Sequence, residues 1–208
     1  MEEEDLHQAL LDLHVVKPAY RDNILSFLKV LQIKHLPTYE HSLRVGVLCQ
    51  RAGEVLGLDP RALLWGGTLH DIGKALVDVQ ILDKTGFFSK RDHASVRPHV
   101  MRGYWLLRDI HPHTADLIVR HHRFQPCPYP KKLPKYSGAW TKRTILNIEK
   151  QARILALMDY YDALTRRRNL KFVGSTKTEE ELRQIFYDHN PDVSRKIDKL
   201  VKAGVVSF

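Results

Sequence analysis

Seven side chains in this sequence stand out as candidate metal ligands, and the densest stretch among them is Thr68-Leu69-His70-Asp71-Ile72-Gly73-Lys74. There an imidazole and a carboxylate adjoin at the end of an apolar helical run. Neighbours on a regular helix point about 100° apart, so both reach one cation only where the backbone turns. Gly73 permits that turn, because a residue without a Cβ can close a helix in a left-handed conformation. Lys74 then places a mobile cation just beyond the pair, within reach of an anionic oxygen on a metal-bound substrate. A lone His-Asp pair is more often an oriented surface or core histidine, so the metal reading depends on further ligands. His41, His99, His121, His122 and Asp159 supply them, for a total of five imidazoles and two carboxylates. One divalent ion takes roughly four to six ligands, so the set exceeds one ion and suits two that share a carboxylate. Two ions roughly 4 Å apart can hold a bridging hydroxide at neutral pH and grip a phosphoryl oxygen, an arrangement suited to in-line hydrolysis of phosphate esters. Imidazole-rich, thiolate-free ligation fits Fe, Mn, Zn or Ni better than Mg or Ca.

The elements that must position these residues read as helices. Leu6, Leu10 and Leu13 recur at helical spacing, and after Pro18 so do Ile24, Phe27, Leu28 and Leu31. Pro37 and Thr38 start a helix that carries His41 on one stripe with Val45, Leu48, Ala52 and Val55, and Gly57 ends it. Asp59-Pro60 opens the next, which delivers His70 and Asp71. Ser89, three residues before Asp92, begins a long helix whose Val96, Val100, Tyr104 and Leu107 face inward with His99 beside them. A short helix through Leu117 and Ile118 runs to His121-His122, two imidazoles that can turn toward one centre where the helix unwinds. Gln125 to Thr141 holds four prolines with Lys131, Lys132, Lys135, Tyr129, Tyr136 and Trp140, and reads as a long loop, either a lid or binding element or a solvated excursion. Ile145 to Thr165 is a helix whose inward stripe Ile148, Ala152 and Leu155 continues into Asp159. A carboxylate on such a stripe needs a cation or a hydrogen-bonded partner, and Asp162 is a candidate acceptor for a ligand histidine. Thr178 with Glu181 forms a capping box for the last helices.

Composition sets the outer bounds. A chain of 208 residues with 43% hydrophobic content buries a sizeable core as one domain, and the near absence of alternating β-branched runs makes it all-α. The net charge of +9 favours anionic partners, but the basic residues are spread along the chain. That fits a phosphate-bearing small molecule and gives no reason to expect a specific nucleic acid. Cys49 and Cys127 are the two cysteines, which excludes a disulfide framework or a cysteine zinc cluster and points to a reducing cytosol. The acidic start Met1-Glu2-Glu3-Glu4-Asp5 is unlike a secretory signal, and no later stretch approaches membrane-span length. The expectation is a cytoplasmic protein with no membrane partner.

The order His41, His70-Asp71, Asp159 resembles the H…HD…D signature of the HD-domain metal-dependent phosphohydrolases. The fuller set, His70-Asp71-Ile72-Gly73-Lys74, His99, His121-His122 and Asp159-Tyr160-Tyr161-Asp162-Ala163-Leu164-Thr165, resembles their HD-GYP subgroup. The similarity runs from about His41 to Lys171. It implies an all-α helical bundle with a dinuclear metal site between helices: N-terminal helices at 1–36 on the core, a catalytic core at 37–172, and C-terminal helices of the same domain at 173–208. It further implies a first ion held by His41, His70, Asp71 and Asp159 and a second by His99, His121 and His122, with Asp71 bridging. Lys74, Arg168 and Lys171 match basic positions that contact substrate phosphates, and Asp71 and Lys74 are the expected catalytic pair. Two features depart from the subgroup. The loop His121-His122-Arg123-Phe124-Gln125-Pro126-Cys127-Pro128-Tyr129-Pro130 keeps only Tyr129-Pro130 of the name-giving motif, and Pro128 fixes φ where glycine would be free. Pro37 stands where members with a third metal carry glutamate, which favours two ions. The resulting expectation is a phosphodiesterase, using Fe or Mn with Zn or Ni as options, that cleaves a cyclic dinucleotide of the cyclic di-GMP type or another nucleotide. The rival readings are a nucleotide phosphomonoesterase, a di-iron oxygenase of the same fold, and a catalytically silent module that binds a phosphorylated ligand.

Overall fold

The structure, a computed structural model, describes residues 18–166 and 177–208. The Leu6, Leu10 and Leu13 stripe and the basic residues Arg168 and Lys171 lie outside the described residues. Within them all regular structure is helical and no strand occurs, as the periodicity predicts. No helix among them is long and apolar enough to cross a membrane.

Helix α1 (Pro18–Lys34) lays Leu28 and Leu31 onto α2 (Leu36–Leu56), which is the spine of the site. His35 caps α2, its Nδ1 accepting from Thr38 N, and Gly57 closes it at φ 65. Asp59 then accepts from the backbone amides of Arg61 and Ala62 to start α3 (Pro60–Leu69). The two helices form a close hairpin, because a Cβ added at Gly67 would lie 2.7 Å from the Gly46 Cα. That approach brings the His41 end of α2 level with the C-terminus of α3.

A 3₁₀ turn (Ile72–Leu76) and the short α4 (Val79–Leu82) follow. The expected long helix after Ser89 is two helices, α5 (Lys90–Val96) and α6 (His99–Leu107). Pro98 divides them, since proline removes an amide donor and restricts the residue before it. The break makes His99 the first residue of α6, and Val100, Tyr104 and Leu107 remain buried. Helix α7 (Pro112–Ile118) leads through a second 3₁₀ turn (His121–Phe124) into the proline-rich loop. Helix α8 (Lys142–Thr165) begins three residues before the expected Ile145, with Thr141 accepting from Thr144 N, and packs on α2, α3 and α7. The capping box at Thr178 starts α9 (Glu179–His189), and α10 (Ser194–Lys202) completes the described chain. One apolar cluster runs from Leu28 and Leu31 through Leu48, Leu63, Leu117 and Leu155 to Phe186 and Leu200. Each such side chain contributes about 1.5–3 kcal/mol on burial, which suffices to hold polar groups at its upper edge.

The proline-rich loop is tethered to this core. Asp116 is fully buried on α7 and accepts from Ser137 N at 2.9 Å, Ser137 Oγ at 3.1 Å and Trp140 Nε1 at 2.6 Å. Beside it the buried Arg120 donates to Glu149 at 2.9 Å and lies over the Tyr136 ring. Asp116→Ala leaves three donors without their acceptor and is expected to cost on the order of 2–4 kcal/mol in denaturant unfolding. A cost below about 0.5 kcal/mol, the range of ordinary surface substitutions, would show that the tether carries no load.

Candidate metal centre

The seven side chains arrive at one place from five helical segments. His41 projects from α2, and His70 is the C-cap of α3, still helical at φ −56 and ψ −35. Asp71 follows at φ −100 and ψ 6, outside the helix, and this change of direction lets adjacent residues face one point. His99 enters at the start of α6, His121 and His122 at the 3₁₀ turn after α7, and Asp159 from the C-terminal third of α8.

His41 Nε2 lies 3.1 Å from Asp159 Oδ1 and 3.9 Å from Asp71 Oδ2, and His70 Nε2 lies 3.4 Å from Asp71 Oδ2 and 3.6 Å from Asp159 Oδ1. On the far side His99 Nε2 is 3.2 Å from the other Asp71 oxygen, Oδ1. Asp71 therefore turns one oxygen to each half of the cluster. Ligand-type atoms of His41, His70 and Asp71 lie within 4.8 Å of one another, and the same holds for His70, His121 and Asp159 and for His99, His121 and His122.

The donor atoms fit divalent ions. Nε2 of His70, His99 and His121 and Oδ1 of Asp71 are buried and have no hydrogen-bond partner, although His99 Nε2 and Asp71 Oδ1 are close. Orphaned buried polar atoms are costly unless something else satisfies them, and four converging on one point match a cation. The opposite nitrogen is engaged in every ring. His70, His99 and His121 turn Nδ1 to the carbonyl three residues earlier, of Gly67, Val96 and Ile118. His41 Nδ1 meets Asp162 Oδ2 at 2.7 Å, and Arg44 in turn grips both Asp162 oxygens at 2.7 and 3.1 Å. A proton held on Nδ1 leaves Nε2 bare, the tautomer a metal needs.

Charge states follow from the same packing. Burial pushes the Asp71 carboxyl up, but His70 and Lys74 beside it pull it well below the usual carboxylate range. Burial acts likewise on Asp159, and the hydrogen bond to His41 together with the charge of His70, 3.6 Å away, outweighs it. Burial holds His99 down at about 3 and His121 at about 4, and keeps His122 far below the ordinary imidazole value. His70 is the reverse case: burial lowers it, yet Asp71 and Asp159 raise it to about 10. His41 is raised by the same kind of carboxylate contact against its burial. The metal-free centre thus combines ionised carboxylates, three neutral imidazoles and a protonated His70.

Lys74 sits at the edge of the cluster, its Nζ donating to Asp71 Oδ2 with the side chain 22% exposed. The Tyr129 ring lies against His122, tilted by 31° with ring centroids 4.5 Å apart, and the Arg97 guanidinium lies over the Tyr129 ring. Gly73 does not adopt the expected left-handed conformation, which among the described residues occurs at Gly57, Gly86 and Gly204. It is needed for space, because a Cβ there would collide with the His99 backbone. Sequence reading missed Arg44, which sits three residues after His41 and so on the same face of α2, and Gln125, three residues after His122. It missed Asp116 as well, whose partners are 21 and 24 residues away.

Comparison with known proteins follows this geometry. The 3'3'-cGAMP-specific phosphodiesterase 1 of Vibrio cholerae is 30% identical over 145 residues, covering 67% of this chain and 31% of that protein. A cyclic di-GMP phosphodiesterase of Thermotoga maritima is 27% identical over 178 residues, covering 80% and 45%. One from Pseudomonas aeruginosa is 34% identical over 141 residues, covering 64% and 32%. The chain therefore spans less than half the length of these curated relatives. The crystal structure of the HD domain of the L. monocytogenes phosphodiesterase PgpH in complex with cyclic-di-AMP superposes with a TM-score of 0.59 at 18% identity, covering 86% of this chain and 93% of that one, a likeness of fold. The HD domain model matches residues 38–164, from just before His41 to just beyond Asp162, and the chain belongs to the HD domain family.

Proposed function

We propose that this chain is a metal-dependent phosphodiesterase of the HD-GYP-like kind that hydrolyses a cyclic dinucleotide. In this reading His41, His70, Asp71 and Asp159 hold one divalent ion, and His99, His121 and His122 hold a second, with Asp71 shared. The observation that carries it is the two-sided placement of Asp71, Oδ2 toward His70 and Oδ1 toward His99. The activities of the Vibrio, Thermotoga and Pseudomonas relatives support the substrate class. Fe or Mn suits the donor set best, with Zn or Ni as options. Such ions supply charge stabilisation at a phosphoryl group and an activated water. The chain's own contribution is to keep Asp71 and Asp159 ionised, to present bare Nε2 atoms, and to place the Lys74 ammonium at the rim, where it meets an anionic phosphate oxygen when it swings from Asp71. Arg168 and Lys171 are proposed to bind substrate phosphate as well.

The test is a panel of cyclic dinucleotides, a linear dinucleotide and a nucleoside monophosphate offered to anaerobically purified, metal-loaded protein. Diester cleavage without dependence on O₂ is expected. Turnover of the monoester alone, or an O₂ requirement, would overturn the reading in favour of a phosphomonoesterase or an oxygenase, and full metal occupancy without product would make the chain a binding module.

Proton linkage gives a second test of the first ion. His70 keeps its proton up to about pH 10 in the metal-free protein, so a metal at its Nε2 must displace that proton. Below that value affinity rises with pH, about tenfold per unit for each proton displaced, and falls as acid returns the proton. Titration calorimetry between about pH 6 and pH 8, in buffers of different ionisation enthalpy, reads the release directly. Binding without proton release would remove His70 from the ligand set.

A further inference from the structure

The five rings of the centre are not supported equally. His70, His99 and His121 lean on carbonyls of their own helical segments, and His41 leans on a carboxylate clamped by Arg44. His122 differs: its Nδ1 faces the side-chain Nε2 of Gln125 at 2.6 Å. Gln125 is exposed and opens the proline-rich loop. The same loop returns to His122 through Tyr129, whose backbone amide donates to the His122 carbonyl at 3.3 Å and whose ring covers the imidazole. Arg123 closes it by donating to Pro130 O at 2.8 Å.

We propose that Gln125 is the positioning residue for His122, and that the Gln125–Tyr129 loop governs whether the His99, His121 and His122 group retains its ion. A neutral imidazole carries one proton, so a ring that gives Nε2 to a metal must keep Nδ1–H and find it an acceptor. The glutamine amide supplies one in Oε1, which a half-turn about its last torsion exchanges with Nε2 without moving the contact. The other four rings are anchored by acceptors that belong to helices or to helix ends. The second ion is therefore the one whose coordination depends on a loop, and it is held by three neutral imidazoles and a shared carboxylate against two carboxylates for the first. It is the more readily exchanged of the two.

This inference rests on the two-ion reading, and the experiment separates their failures. The full chain and its variants are loaded anaerobically with Co²⁺ as probe, dialysed against graded chelator, and read by elemental analysis and Co²⁺ absorption. Gln125→Met keeps the size and removes the acceptor, and Gln125→Glu keeps an acceptor. Gln125→Met is expected to weaken the second Co²⁺ by about 10–100-fold while the first and the metal-free unfolding curve stay as in wild type. Gln125→Glu is expected to retain both ions. Equal retention of the second Co²⁺ by Gln125→Met, its loss from Gln125→Glu, or a lowered metal-free stability of Gln125→Met would each overturn the positioning role. A wild-type chain that saturates at one Co²⁺ would instead overturn the two-ion reading, and this inference with it.

Discussion

Asp71→Ala is expected to give a folded protein that has lost its metal and on the order of 10³-fold or more of its turnover. No other side chain can take its place. Asp71 Oδ2 lies 3.4 Å from His70 Nε2 and Oδ1 lies 3.2 Å from His99 Nε2, so one carboxylate serves both halves of the cluster. Without it the first group keeps Asp159 as its only negative ligand, and the second is left with three imidazoles that burial already holds neutral. Asp71→Asn separates charge from shape, since the amide fills the same space and offers one oxygen without the charge. Both variants are expected to fall together in metal content by elemental analysis and in diester hydrolysis, with helical content retained by circular dichroism. A variant that keeps the wild-type complement of metal would remove Asp71 from the centre.

The convergence of these side chains was legible in the sequence to the extent that it is carried by local pattern. His41 could be placed because it falls on an apolar helical stripe, and His121-His122 because a doublet at a helix end has one direction in which to turn. Asp159 stood out because a carboxylate on a stripe of Ile, Ala and Leu requires a partner. The supporting contacts were less accessible, since they join residues far apart in the chain: Arg44 to Asp162 spans 118 positions. Gln125 is near its histidine, but periodicity says nothing about a loop, and an amide carries no charge to mark it. Periodicity also ran straight through Pro98, whose covalent geometry was the better guide, and the resulting break is what sets His99 at a helix start. Basic residues after α8 are a further case, because Arg168 and Lys171 lie outside the described residues and their part in binding phosphate stands as a proposal.

Gly73→Ala is expected to damage the centre from a position that touches no ligand atom. The glycine looks in sequence like a helix stop with a left-handed backbone, and the structure gives it a different duty. A Cβ at this position would overlap the His99 carbonyl oxygen and would sit 2.7 Å from Gly103 N and 2.8 Å from the His99 carbonyl carbon. All three are backbone atoms of α6, so no rotamer change relieves the clash. The 3₁₀ turn and α6 must move apart, and that turn follows directly on Asp71 and carries Lys74, while α6 begins with His99. Overpacking of this kind costs about 1–3 kcal/mol, and a contact with rigid backbone belongs at the upper end. The melting temperature of the metal-free protein is expected to drop by roughly 5–10 °C, at about 2–4 °C for each kcal/mol in a chain of this size. Separation of Asp71 from His99 also pulls the shared carboxylate away from the second group, so that ion should be lost before the first. Melting curves with and without metal, together with metal content, test both parts. A Gly73→Ala protein that melts with wild type and holds both ions would show that the turn and α6 do not approach as closely as the geometry requires.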